Sequence, residues 1–300
     1  MIKVRVPASS ANMGPGFDCM GVALNLYNEV CIEKIDSPGV EIVILDDSKE
    51  FMPTDERNYV YTAMSRVFSK VGKSFSGYRI IIENTIPVTR GLGSSSAGIV
   101  AGLAGANHLL GNLLSKDELL NIACDIEGHP DNVAPALLGG FVVSVLSGGK
   151  VNYIKTDVSE SLTFAAMIPN FYFRTKKSRS VLPKYVSHKN AVYNVSRAVL
   201  LTASLMSGDL KNIGEAMKDR LHQGYRISHI KDADYVMRLL RRSGADACYL
   251  SGAGPTIMSV VTENEKTFVE KINHATSGRL RDWNLKVLKA DNCGVQVFEK

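Results

Sequence analysis

This 300-residue chain is organised around the stretch Pro87-Val-Thr-Arg-Gly-Leu-Gly-Ser-Ser-Ser-Ala-Gly98. A strand pattern over residues 78–83 precedes it, and a helix rich in alanine and glycine is predicted over residues 97–110. The glycines allow positive φ and close backbone approach, and the three serines bring hydroxyl and N–H donors to the start of the helix. Such a helix start favours an anion. The stretch therefore predicts a phosphate-binding loop, although a turn that merely caps the helix fits the local sequence equally well.

Two familiar phosphate-binding motifs do not match this loop. In the dinucleotide fingerprint a third glycine would stand at Ser96, and the acidic residue expected about 20 positions later is missing. Gly72-Lys73-Ser74 matches the end of the P-loop pattern, but Val67 occupies the position of its first glycine. The stretch therefore represents a third kind of loop.

The composition is that of an ordinary globular protein, with 45% hydrophobic and 22% charged residues. Its length suggests about two domains. The net charge of +5 and the lack of basic runs with interleaved aromatic residues speak against a nucleic-acid partner. The five cysteines are scattered and form no Cys-x-x-Cys pair, which favours a reduced, intracellular protein without a zinc site. With no secretory or membrane-length apolar segment, we expect a cytoplasmic protein with no membrane partner.

Two polar stretches precede and follow the central loop. The first, Pro7-Ala-Ser-Ser-Ala-Asn-Met-Gly-Pro-Gly-Phe-Asp18, is a plain wide turn unless it lies near the phosphate loop. The second, Glu127-Gly-His-Pro-Asp-Asn132, ends a helix that a capping box predicts over residues 115–126. At this one helix end lie four side chains that can bind a metal or form hydrogen bonds. A turn broken by proline does not need that many.

A polar segment over residues 148–157 marks the predicted domain boundary. Beyond it, Phe173-Arg-Thr-Lys-Lys-Ser-Arg-Ser-Val-Leu-Pro183 is basic, and its simplest interpretation is a solvated cationic face. Ser251-Gly-Ala-Gly-Pro-Thr256 lies between two predicted strands, and its glycines suggest close approach to the other domain. A last strand is predicted over residues 295–298.

Together, the loops at residues 7–18, 90–97 and 251–256 resemble the three motifs of the GHMP small-molecule kinases. Within this superfamily the chain looks like the homoserine kinases, because of Phe17-Asp18-Cys-Met-Gly21 and His129-Pro-Asp-Asn-Val-Ala-Pro-Ala136. The resemblance covers nearly the whole chain and implies an α+β fold of two domains. Residues 1–155 would form an ATP-binding domain like domain 2 of ribosomal protein S5, and residues 156–300 a ferredoxin-like domain. It also implies ATP- and Mg²⁺-dependent phosphorylation of L-homoserine, on the path to threonine, by a cytoplasmic homodimer.

The resemblance further implies roles for individual residues. The expected nucleotide-binding residues are Asn58, Pro87, Arg90, Gly91, Leu92, Gly93, Ser94, Ser95 and Ser96. The expected substrate-binding residues are Asn12, Asp18, His129, Asp131, Asn132, Arg179 and Arg226, with both arginines on the substrate carboxylate. The expected catalytic residues are Asp18, Glu127 and Asn132, and the expected Mg²⁺ ligands are Ser95 and Glu127.

Some alternatives stay open at this point. Asp125 could hold the metal in place of Glu127, but two residues apart on a helix point to nearly opposite faces, so only one can face inward. Asn58 could simply cap the next helix, and Asp18 could be a base or only bind substrate. The chain could also be another GHMP kinase, acting on mevalonate, a sugar or an isoprenoid precursor. A nucleotide-binding regulator without catalysis would be indicated by a broken loop or a missing carboxylate, and the sequence shows neither.

Overall fold

Two β-sheets form the frame of the molecule. The computed structural model describes residues 1–75, 77–173 and 175–299. Its strands are β1 (Ile2–Ala11), β2 (Met20–Lys34), β3 (Val40–Ile44), β4 (Tyr78–Asn84), β5 (Phe141–Ser147), β6 (Lys150–Thr156), β7 (Thr163–Pro169), β8 (Ala247–Leu250), β9 (Ile257–Val261), β10 (Trp283–Leu288) and β11 (Gln296–Glu299). The first sheet has the order β11-β1-β2-β4-β3, with β5 and β6 joined to it through β2, and only its β3–β4 pair is parallel.

Helices pack on both sheets. They are α1 (Tyr59–Lys70), α2 (Ser94–Leu109), α3 (Lys116–Glu127), α4 (Pro130–Leu138), α5 (Thr175–Ser180), α6 (His188–Ser207), α7 (Ile213–Ala216), α8 (Gln223–Ile227), α9 (Ala233–Ser243) and α10 (Glu265–Thr276), with a short 3₁₀ helix at Asp47–Glu50. The predicted capping box begins α3: the hydroxyl of Ser115 accepts from the N–H of Glu118, whose side chain bonds back to the N–H of Ser115. No helix in the described part of the chain is both long and apolar enough to cross a bilayer.

The second sheet has the antiparallel order β10-β7-β9-β8. Apart from α5 to α8, which lie between β7 and α9, this unit runs β7-α9-β8-β9-α10-β10. That order of strand, helix, strand, strand, helix and strand is the one of a ferredoxin-like fold. Buried apolar residues of β7, β8, β9, α9 and α10 form its core, separate from the larger core around the first sheet. The expected α+β fold of two units is therefore present.

The small residues of α2 explain how the helix sits in the first unit. A Cβ at Gly102 would lie 2.3 Å from the carbonyl oxygen of Val60 in α1. A Cβ at Gly105 would lie 2.4 Å from Cδ1 of Ile32 in β2. Glycine is costly inside a helix, but here larger side chains would push α2 away from both neighbours. The helix start, and with it the serine loop, is fixed by this close packing.

Three features of the chain differ from the sequence-based expectations. The stretch expected to be a polar turn at residues 127–132 already contains the start of α4, because Pro130 occupies the first helical turn, where its missing N–H costs nothing. The polar segment at the expected boundary forms β6, which pairs with β5 at the edge of the first sheet. The last strand, β11, returns from the second unit and pairs with β1. The expected division at residue 155 thus leaves one C-terminal strand in the first sheet.

Candidate active site

The three loops singled out in the sequence meet at one cavity between the two units. The side-chain amide of Asn12 donates to the carbonyl oxygen of Gly252 at 2.8 Å, which joins the first loop to the third. The hydroxyl of Ser251 donates to the carbonyl oxygen of Gly91 at 2.6 Å, which joins the third loop to the central one. A Cβ at Gly91 would lie 2.4 Å from the carbonyl oxygen of Ser251, so only glycine fits at this crossing.

The central loop presents free donors to the cavity. Gly93 has a positive φ of 70° and starts α2, and a Cβ there would lie 2.0 Å from the hydroxyl oxygen of Ser9. No side chain among the described residues caps the first turn of α2. The backbone N–H groups of that turn are therefore available to an anion, and Ser94, Ser95 and Ser96 line the cavity beside them. This geometry favours a phosphate cradle over a turn that merely caps the helix.

A carboxylate stands beside these serines. Glu127, the last residue of α3, accepts hydrogen bonds through Oε1 from the hydroxyls of Ser95 at 3.2 Å and Ser96 at 3.0 Å. Asp125 points elsewhere: it pairs with Arg66 at 3.1 Å, and its side chain is 66% exposed. Of the two acidic residues considered for the metal, only Glu127 lines the cavity.

This group of oxygen atoms suits Mg²⁺, a hard cation that binds one or two carboxylates together with phosphate oxygens. Within residues 1–75, 77–173 and 175–299, no cluster of three or more His, Cys, Asp and Glu side chains could hold a metal by itself. To hold such an ion, Glu127 and Ser95 would need further oxygen ligands from a bound nucleotide.

The start of α4 carries three of the expected substrate-binding side chains. Nδ1 of His129 lies 2.6 Å from Oδ1 of Asp131, which is buried. Burial by itself would lower the pKa of His129, but the hydrogen bond and charge of Asp131, together with the charge of Glu127, raise it above the ordinary value. Oδ1 of Asn132 accepts from the hydroxyl of Ser9 at 2.9 Å, which ties α4 to β1. All three side chains line the cavity.

The basic segment of residues 173–183 contains the short helix α5, which has two different sides. Arg179 points into the cavity, where Nη1 and Nη2 donate to the two carboxylate oxygens of Asp18 at 2.9 and 2.7 Å. This hydrogen bonding raises the pKa of Arg179 above its usual value. Lys177, by contrast, is exposed, and Arg174 lies outside the described residues. The described part of this segment therefore does not form a uniformly solvated face.

Arg226 in α8 lines the same cavity and is only 1% exposed. Nε donates to the carbonyl oxygen of Ser178 at 3.2 Å, and Nη1 donates to that of Gly252 at 3.3 Å. Burial and the charge of Arg179 lower its pKa to about 10, so Arg226 stays charged at neutral pH. Both guanidinium groups lie over the ring of Phe17, at 5.6 Å for Arg179 and 5.0 Å for Arg226. The two arginines thus converge on one cavity.

Three residues of the expected nucleotide-binding set do not line this cavity. Asn58 is fully buried: its amide donates to the carbonyl oxygen of Pro53 and its Oδ1 accepts from the N–H of Val60, so it caps α1. The side chain of Leu92 is in the core, because the loop needs an apolar anchor between its two glycines. Pro87 borders a separate, shallower depression.

Arg90, a fourth member of that set, does line the cavity. Its guanidinium donates to the carbonyl oxygens of Pro169 at 2.8 Å and Asn170 at 2.9 Å, so it fastens the central loop to the end of β7. It also lies 4.4 Å from the ring centroid of Tyr172. Arg90 therefore connects the two units at the cavity.

Nothing in the sequence singles out the apolar part of the cavity wall. This part is formed by Phe51, Met52, Pro53, Tyr59 and Phe173. Phe51 and Tyr172 approach across the two units with ring centroids 4.7 Å apart, and each is almost half exposed. Because single aromatic residues in loops are common, these residues carry no sequence signal that would have marked them as part of the site.

Two protein-family models match this chain. The sequence matches the model of the GHMP kinases N terminal domain over residues 58–140 and that of the GHMP kinases C terminal over residues 201–275. This chain belongs to the GHMP kinases. The family is one of ATP-dependent kinases, so this GHMP kinase acts on a small-molecule substrate with ATP.

Relatives of this GHMP kinase extend over its whole length. A homoserine kinase of Caldicellulosiruptor saccharolyticus is 47% identical over 99% of this chain and 97% of its own. One of Clostridium beijerinckii is 47% identical over 100% and 99%. The crystal structure of homoserine kinase from Cytophaga hutchinsonii superposes with a TM-score of 0.89 at 32% identity, over 99% of this chain and 97% of that one. Mevalonate kinase of Methanococcus jannaschii, at 14% identity and a TM-score of 0.71, shares the fold.

Proposed function

We propose that this GHMP kinase transfers the γ-phosphoryl group of ATP to the hydroxyl of L-homoserine, giving O-phospho-L-homoserine for threonine biosynthesis. The observation that carries the proposal is the charge pattern of the cavity beside the phosphate cradle. Arg179 and Arg226 offer two cations, while Asp18 and Asp131 offer carboxylates on the same cavity. An amino acid carries both an anionic and a cationic group, whereas mevalonate lacks the ammonium group and a neutral sugar lacks both.

The arginines and carboxylates would orient the amino acid. A guanidinium fork can bind a carboxylate through two parallel hydrogen bonds. In the structure the fork of Arg179 is engaged by Asp18, so the substrate carboxylate would share Arg179 with Asp18 and rely on Arg226 for its second cation. The ammonium group would face the carboxylates of Asp18 and Asp131. Fixing both ends of the substrate places its side-chain hydroxyl towards the serine loop, and such orientation lowers the barrier.

The loop and its neighbours would hold the nucleotide. Gly91 to Ser96 supply backbone N–H and hydroxyl donors for its phosphates, and the apolar wall around Phe51 and Tyr59 is suited to a base. Mg²⁺, when bound to Ser95 and Glu127, supplies positive charge that neutralises the phosphate oxygens. Phosphoryl transfer needs positioning and charge neutralisation more than covalent chemistry. In this proposal Asn132 forms a hydrogen bond with the substrate near its reacting hydroxyl. Asp18 orients Arg179 and the substrate and does not have to serve as a base.

A coupled assay of ADP formation tests this proposal against the other members of the family. Purified enzyme is given ATP, Mg²⁺ and one of L-homoserine, mevalonate or galactose. The proposal requires turnover with L-homoserine and only background rates with the other two. Turnover of mevalonate or galactose without turnover of L-homoserine would reassign the substrate, and ATP binding without turnover of any of them would favour a regulator.

We also propose that two copies form a cytoplasmic homodimer through α6. One side of this helix carries apolar residues that are more than half exposed: Val192, Val195, Val199 and Met206. Between Asn190 and Ser207 the only charged residue is Arg197, which bonds to Glu215 of its own chain. Tyr185 and Val186, just before the helix, are also exposed and would extend the patch towards the size of a specific interface. An uncharged patch can also meet its own copy across a two-fold axis without repulsion.

Light scattering after gel filtration measures this directly. The wild type should have the mass of a dimer, and Val195→Glu combined with Val199→Glu should give a monomer. Ile154→Glu is the matched control, because Ile154 is 60% exposed but lies on β6. A monomeric wild type would contradict the dimer. If only the Ile154 variant lost the dimer, the interface would lie at the edge of the first sheet and not at α6.

A further inference from the structure

His222 is a buried histidine at the start of α8, and it contacts the first loop and Arg226 without lining the cavity itself. Its Nε2 lies 2.8 Å from the carbonyl oxygen of Gly14 in the first loop. Its Nδ1 lies 3.1 Å from Nη1 of Arg226, one helical turn further on. A carbonyl oxygen only accepts and a guanidinium only donates. The two contacts therefore fix one state of the ring, neutral, with the proton on Nε2 and the lone pair on Nδ1.

We infer that His222 is a positioning residue, whose neutral imidazole holds Arg226 in the orientation that meets the substrate's carboxylate. The inference rests on the proposed function, because it gives Arg226 a carboxylate to bind. Nε and Nη1 of Arg226 are engaged by Ser178, Gly252 and His222. Nη2 has no hydrogen-bond partner among the described residues, so it is the nitrogen left for a ligand. The protein thus fixes one side of the guanidinium and leaves the other to the cavity.

The surroundings of His222 support the neutral state. The ring of Phe17 stacks on the imidazole at 5.1 Å with an angle of 23° between the planes. The charged groups that face the imidazole are Asp219, Arg226 and, from the first loop, Asp18. Burial lowers the pKa of His222; Asp219 opposes this, and the charge of Arg226 adds to it.

Asp219 does not accept a hydrogen bond from the imidazole ring of His222. Its nearest oxygen is 3.9 Å from Nε2. Its carboxylate instead accepts from the backbone N–H groups of Leu221, His222 and Gln223 and from the side chain of Asn194. Asp219 therefore anchors the start of α8, and through it the histidine, while the lone pair on Nδ1 stays free for Arg226.

Substitution separates positioning from packing. In His222→Phe an aromatic ring remains for Phe17 to stack on, but Arg226 loses its acceptor and one side of its guanidinium is released. The loss of a hydrogen bond to a charged group should raise KM for L-homoserine roughly ten- to a hundredfold. In His222→Gln the amide nitrogen can donate to Gly14 and the amide oxygen can accept from Arg226, so most of the affinity should return. KM for ATP should stay within about threefold in both variants, since the phosphate loop is untouched.

His229→Gln is the control, because His229 is exposed on the chain just after α8 and should behave as wild type. Equal losses in the Phe and Gln variants, or a parallel rise of KM for ATP, would show a merely structural histidine and overturn the inference. If L-homoserine is not a substrate at all, the proposed function is wrong. The protonation state of the His222 ring then still tests whether the imidazole accepts a hydrogen bond from Arg226.

The ring state can be measured in the wild type, and a variant is needed only to assign the signal. Nitrogen NMR of ¹⁵N-histidine-labelled enzyme distinguishes the two ring nitrogens, and the His222→Gln spectrum assigns the signal among the six histidines. The inference requires a proton on Nε2 only, unchanged between pH 6 and pH 8. A proton on Nδ1, or titration within that range, would leave no acceptor for Arg226 and would contradict the inference.

Discussion

Replacing Glu127 by glutamine tests which acidic residue serves the metal. The amide oxygen of glutamine can still accept from Ser95 and Ser96, as Oε1 of Glu127 does at 3.2 and 3.0 Å, so the local hydrogen bonds can survive. The free energy of unfolding should therefore change by less than about 1 kcal/mol. The negative charge is lost, however, and Mg²⁺ binds carboxylates in preference to amides. We expect kcat to fall by at least about a hundredfold, as when one preorganised electrostatic group is removed from an active site.

The assay is ADP formation at saturating L-homoserine over a series of Mg²⁺ concentrations, with thermal unfolding of each variant measured in parallel. Glu127→Gln should need more Mg²⁺ for half-maximal rate and should unfold near the wild-type temperature. Asp125→Asn is the matched control: its exposed pair with Arg66 contributes about 0–1 kcal/mol, and its activity should be unchanged. Near-normal activity of Glu127→Gln, with an inactive Asp125→Asn, would refute the assignment of Glu127 to the metal.

Three further changes test other parts of the site. Arg179→Lys should lower kcat/KM for L-homoserine by roughly tenfold or more, because an ammonium group cannot form two parallel bonds; the exposed Lys177→Ala should not, and equal small losses in both would indicate a diffuse basic surface. Gly93→Ala should raise KM for ATP and lower the melting temperature, since its φ is 70° and its Cβ would meet the hydroxyl of Ser9; unchanged ATP kinetics would argue against the cradle. Because the pKa of His222 is lowered in the folded chain, this histidine binds a proton at a higher pH in the unfolded chain than in the folded one. The stability it contributes is therefore present above about pH 6.5 and lost below, by up to about 1.4 kcal/mol per pH unit. His222→Gln should flatten that slope in urea unfolding from pH 5 to pH 8, and an unchanged slope would show that the histidine is not buried neutral.

The sequence predicted the parts of the fold that depend on local chemistry. Glycine and alanine crowding in α2 indicated a closely packed helix, and Gly102 and Gly105 do lie against α1 and β2. The capping box placed the start of α3. The order of the three loops predicted a shared site because a family pattern relates them, and the structure brings them to one cavity.

Long-range pairing was not predictable in the same way. The pairing of β11 with β1 joins residues at opposite ends of the chain, and nothing in the four residues of β11 specifies their partner. Asn58 shows a related limit, since a residue that could cap a helix or bind a nucleotide has the same sequence signature. In the structure it caps α1. His222 was not singled out either, because its role depends on contacts with Gly14 and Arg226 that only the folded chain brings together.

The central claim is that the cavity recognises an amino acid by opposite charges at its two ends. The most direct measurement compares kcat/KM for L-homoserine with that for 4-hydroxybutyrate, which lacks the ammonium group, and for 3-aminopropanol, which lacks the carboxylate. Phosphorus NMR of the products identifies the phosphorylated hydroxyl. We predict efficient formation of O-phospho-L-homoserine and a loss of at least about a hundredfold with each analogue, because each lacks one of the two charged groups through which the proposal holds the substrate. Comparable kcat/KM values for all three compounds, or no phosphate ester from L-homoserine, would contradict the account.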